Sequence, residues 1–99
     1  MPTILTFVSG PMLKKEGGFL GIGGTTVFVY QYNPIFYFVE GCELRNFGVG
    51  KIAFTEHLEK SELERKIIDQ VKSDANPGFD TTMRYFSSDE VDYKVEFVL

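Results

Sequence analysis

The stretch from Thr25 to Glu40, TTVFVYQYNPIFYFVE, limits the fold more than any other part of the chain. It is dominated by β-branched and aromatic residues, which fit a pleated, packed surface. A strand with one face in water alternates apolar and polar residues. Here Val27 and Val29 oppose Phe28, Tyr30 and Tyr32, and then Ile35, Tyr37 and Val39 oppose Phe36 and Phe38. Both faces are apolar. Asn33-Pro34 is turn chemistry, so the segment reads as two strands, 25–32 and 35–40, joined in a hairpin. In a chain of 99 residues both faces of such a hairpin are hard to cover. Either the sheet curls over its own core, or a second copy or a partner covers the remaining face.

The other elements are read around that hairpin. Residues 3–9, TILTFVS, are strand-like, and Gly10-Pro11 is expected to stop them. Residues 43–54 read as a weaker strand bent at Gly48 and Gly50. A helix is expected over about 57–74, because Leu63, Ile67 and Val71 recur every fourth residue with Ile68 beside them. Four-residue recurrence lays apolar side chains along one stripe. Ser61 followed by Glu64 has capping-box spacing, Glu62 and Lys72 sit at dipole-favoured ends, and Asn76-Pro77-Gly78 terminates the element. In the last segment Val91, Tyr93, Val95, Phe97 and Leu99 alternate with Asp92, Lys94 and Glu96. This predicts a half-buried strand, paired through a turn at Ser87–Glu90 with the strand before it. The expected architecture is one α+β domain over residues 1–99. It has a mostly antiparallel sheet of roughly five or six strands, a β-meander, one helix and a closing C-terminal hairpin.

Composition narrows the function by exclusion. The net charge is −4. Residues 61–99 carry nine acidic and five basic side chains, whereas residues 1–60 are balanced. That argues against sequence-independent binding to a phosphate backbone. The aromatics of 25–39 have no Lys or Arg among them, as a base-stacking platform would need, so single-strand nucleic-acid binding is the third reading. No segment approaches the roughly 20 apolar residues of a membrane span. One cysteine, Cys42, allows no internal disulfide, and nothing resembles a secretory leader, so a reducing cytoplasm is expected.

Five glycines crowd residues 17–24 of EGGFLGIGGTTVFVY. A dinucleotide or Walker-type loop needs a helix after the glycines and, for the latter, a Gly-Lys-Ser/Thr ending. Here a strand follows, so the cluster reads as a turning connection. Its Phe19, Leu20 and Ile22 are candidates for contact with a partner. Cys42 and His57 are the only thiol and imidazole, and no ligand-spaced cluster suggests a metal. No cofactor is expected. The leading expectation is a small non-enzymatic protein-binding module of inhibitor, adaptor or assembly-subunit type. Its contact surface is placed on Phe28, Tyr30, Tyr32, Phe36 and Phe38, by docking of a partner or by homodimerisation. The alternative is a small-ligand binder or enzyme with Tyr30, Tyr37, Cys42 and His57 in a pocket between helix and curled sheet.

Overall fold

The computed structural model describes residues 2–17, 23–39, 42–75 and 90–98, without the side chains of 38, 39, 42–44 and 75. The described elements are β1 (Thr3–Glu16), β2 (Thr25–Val39), β3 (Cys42–Asn46), β4 (Gly50–Phe54), α1 (Lys60–Ala75) and β5 (Asp92–Phe97). The fold is α+β, with five strands in an open, mixed sheet ordered β3-β2-β1-β5, and β4 also paired with β2. β1, β3 and β4 all run antiparallel to β2, and only β5 pairs in parallel, with β1. No helix among the described residues is long and apolar enough to cross a membrane.

The hairpin expected within 25–40 does not form. β2 is one continuous strand through Asn33-Pro34. Pro34 pairs with Thr6 of β1, and its carbonyl accepts a hydrogen bond from the Phe47 amide at 3.1 Å. Proline lacks only the donor, so a strand can continue through it wherever its acceptor is used and no amide is required. The hairpin partner of β2 is β1, across the glycine-rich connection 17–24, where the described Gly17, Gly23 and Gly24 have positive φ. Gly10-Pro11 likewise fails to end β1. The pairing steps from Ser9↔Gln31 to Met12↔Val29, so Gly10 and Pro11 together face Tyr30 as a bulge. Gly10 suits this place because its φ is +120° and a Cβ would lie 2.8 Å from the Val29 carbonyl oxygen. The segment 43–54 divides at Phe47–Val49 into β3 and β4, which lie end to end along the outer edge of β2. The strand expected before β5 lies outside the described residues.

The helix begins at Lys60, so Ser61 falls inside its first turn, and the Leu63 amide bonds the Glu59 carbonyl at 2.9 Å. Since β4 and β5 both run parallel to β1, α1 is the crossover between two parallel strands. Its stripe of Leu63, Ile67 and Val71 packs on Ile4 and Val8 of β1, on Tyr30, Tyr32 and Phe36 of β2, and on Val91. Phe36, Ile4, Ile67 and Val71 are fully buried. Lys60 lies over the Phe97 ring and Lys72 over Tyr93, which sets the helix antiparallel to β5.

Tyr32 ties the far end of the helix to the sheet. Its hydroxyl donates to Asp74 Oδ2 at 2.7 Å, and Gln70 Nε2 donates to Asp74 Oδ1 at 2.8 Å. The ring lies directly over Gly50, its cross-strand partner, where an added Cβ would come within 2.7 Å of the phenolic oxygen. Gly50→Ala is therefore expected to lower unfolding stability by about 1–3 kcal/mol in urea titration, as overpacking does. Burial first, then the Asp74 hydrogen bond and its charge, push the Tyr32 hydroxyl up to about 12 from 10.0. At pH below 10 folded and unfolded chains both keep this proton, and the tie acts in full. Between pH 10 and 12 the unfolded chain releases its proton first, so stability falls as pH rises. Burial raises Tyr93 as well, in the same sense. Tyr32→Phe should cost about 1–2 kcal/mol at neutral pH and flatten, but not abolish, the alkaline decline in urea midpoint.

Candidate contact surface

Three of the aromatic residues expected to meet a partner belong to the protein's own core. Tyr30, Tyr32 and Phe36 are 4%, 6% and 0% exposed beneath α1, so a partner could reach them only by displacing the helix. Phe28 is half-buried and meets the ring of His57 edge-on, with centroids 5.5 Å apart. Phe19, Leu20, Ile22 and the side chain of Phe38 lie outside the described part of the structure. Tyr30, Tyr32 and Phe36, three of the aromatics considered for base stacking, lie under the helix.

The residues considered for a pocket chemistry do not converge. Tyr30 and Tyr37 have opposite parity on β2 and so project from opposite faces of the sheet. Cys42 pairs with Val39, and His57 meets Phe28, at opposite ends of the same strand. Eleven residues of strand separate those two anchor points, roughly 36 Å. Among the described residues no group of His, Cys, Asp and Glu could hold a metal ion.

The face away from the helix carries a different surface. Register places Phe7, Ser9, Met12 and Lys14 of β1 opposite Asn33, Gln31, Val29 and Val27 of β2 on this side. Two depressions adjoin here, sharing Ser9 and Gln31. The smaller, about 190 Å³, is lined by Phe7, Asn33, Val49 and Val98 among others. The larger, about 650 Å³, lies against the β1 bulge and includes Met12, Lys14, Val29, Lys51 and Ala53. Together they form a trough along the β1–β2 seam. Met12, Val49 and Val98, exposed by 58%, 64% and 48%, all line it, and Phe7 and Val29 are half-buried in its floor. The Asn33 Oδ1 is buried there without a hydrogen-bond partner. Leu13, 63% exposed, is opposite Phe28 and so belongs to the other face.

The neighbouring strand edge is guarded. β5 covers β1 only from Thr3 to Val8. Beyond it, Pro11, Lys14, Lys15 and the bulge blunt the edge against further strand pairing, as proline, lysine and bulges do in natural sheets. The exposed feature is therefore the helix-free face beside the β1 bulge.

The trough residues were not apparent from the sequence because Gly10-Pro11 reads as a strand end, which removes Met12 and Lys14 from the sheet. One signal was present. On β5 the polar parity runs Asp92, Lys94, Glu96 and then breaks at Val98, an apolar residue on the charged face.

No family model matches this chain, and neither does any curated protein or solved structure.

Proposed function

We propose that this chain is a small, non-enzymatic protein-binding module whose contact surface is the trough on the helix-free face of the β1–β2 hairpin. The observation that carries the reading is the coincidence of Met12, Val49 and Val98, three of the four strongly exposed large apolar side chains among the described residues, along one trough. Isolated exposed apolar residues are ordinary, whereas a contiguous apolar patch rimmed by polar groups is characteristic of contact sites. Phe7 and Val29 give the patch a floor, Ser9 and Gln31 cross its middle, and Lys14 and Lys51 lie at its polar rim. An apolar centre with a polar rim is the anatomy of protein interfaces. The reading suits a reducing cytoplasm, where the lone Cys42 stays a thiol.

A photoreactive amino acid placed at Met12 tests it, with Ser73 on the exposed side of α1 as control. Illumination in cells or lysate should give a discrete protein adduct from position 12, absent from position 73 and lost when Val49→Asp is added. Absence of any adduct, or the same adducts from both positions, would contradict a contact surface at the trough.

A further inference from the structure

Resting on the trough as a contact surface, we infer that its occupant is a second copy of this chain, docked face to face about a two-fold axis along the β1–β2 seam. The argument is the distribution of charge on that one face. Lys14 pairs with Glu16 at 3.9 Å, and Lys94 pairs with Asp92 at 3.7 Å. Lys51 on β4 and Glu96 on β5 lie on the same face, both exposed and both without an ion pair among the described residues. β4 and β5 are opposite edges of the sheet, with β2 and β1 between them. Three strand spacings put the two charges roughly 14 Å apart, too far to meet within one chain.

A two-fold axis along the seam exchanges the edges. It lays β4 of one copy over β5 of the other, twice. Lys51 is in register with Gln31 and Gln31 with Ser9, and the Val98 amide bonds the Val8 carbonyl at 2.7 Å, so Lys51 and Val98 share a row on opposite edges. The Lys51 stem then covers Val98 of the second copy. Its ammonium reaches Glu96, two residues back on the same face and about 7 Å away. The same operation exchanges paired residues across the seam, so Met12 stacks over Val29 of the second copy and Phe7 over Asn33. Lys51, Glu96, Met12 and Val98 thus each acquire a complement from the same surface. An isologous interface requires that self-complementarity. Two stacked sheets about 10 Å apart are an ordinary packing mode.

The test is sedimentation velocity across a concentration series, with the full chain, Met12→Asp, Lys51→Glu, Glu96→Lys and the Lys51→Glu/Glu96→Lys pair. The wild-type chain should reach twice its mass of 11.2 kDa. Met12→Asp should leave a monomer. Each single charge reversal should weaken dimerisation about tenfold or more, and the double reversal should restore most of that loss, because it re-forms the same two ion pairs in the opposite sense. Circular dichroism of each variant separates a lost dimer from a lost fold. A monomer at every concentration overturns the inference, and so does a dimer indifferent to Met12→Asp or a double reversal no better than the single ones. A monomeric chain that still gives a position-12 adduct to another protein would retain the contact surface and remove the second copy as its occupant.

Discussion

β2 has two hydrogen-bonding edges, and the sheet is built by filling both. β1 takes one edge along nearly the whole strand, and β3 and β4 share the other end to end. Fifteen residues of strand reach roughly 50 Å, which is the long dimension of the molecule, 50 Å. The radius of gyration, 15.6 Å, exceeds the roughly 13 Å of a compact chain of this length. One helix cannot cover so long a sheet. α1 therefore covers the Ile4–Val8 end of β1, and the Met12–Glu16 end extends beyond it as an arm.

This division explains why an apolar parity on both sides of β2 is tolerated. The even parity, Tyr30, Tyr32 and Phe36, forms the helix-side core. On the odd parity Ile35 is only 8% exposed, whereas Gln31 at the trough is exposed. Where the helix ends, Tyr32 joins it to the sheet through Asp74, and Gly50 makes room for the ring. That polar tie sits at the boundary between the closed core and the open arm. On the opposite face the trough runs past the same rows, with Lys14 paired to Glu16 and Lys51 without an ion pair among the described residues.

Much of the fold was legible in the sequence, and the reasons differ by element. The four-residue recurrence of Leu63, Ile67 and Val71 located the helix because a helix stripe is a local property. The clean alternation of Val91 to Phe97 located β5 for the same reason. What failed were two prolines read as punctuation. Asn33-Pro34 has turn composition, yet long-range pairing with Thr6 and Phe47 holds it extended. Gly10-Pro11 is absorbed as a bulge because Tyr30 lies opposite it. Local turn preference amounts to about a kilocalorie per mole or less, and cross-strand packing along a whole strand outweighs it. Tyr30, Tyr32 and Phe36 have the alternation of a displayed strand face yet lie beneath α1, and Met12 is exposed on a strand that continues past Gly10-Pro11.

The continuity of β2 is the claim on which the sheet, the arm and the trough all depend. Amide hydrogen exchange measured residue by residue by NMR tests it most directly. Strong, uniform protection should run along β2 from Phe28 to Tyr37, on both sides of Pro34, with the slowest amides exchanging only through global unfolding. A gap of fast exchange at 31–35, flanked by two separately protected segments, would mean a turn at Asn33-Pro34 and would contradict the account.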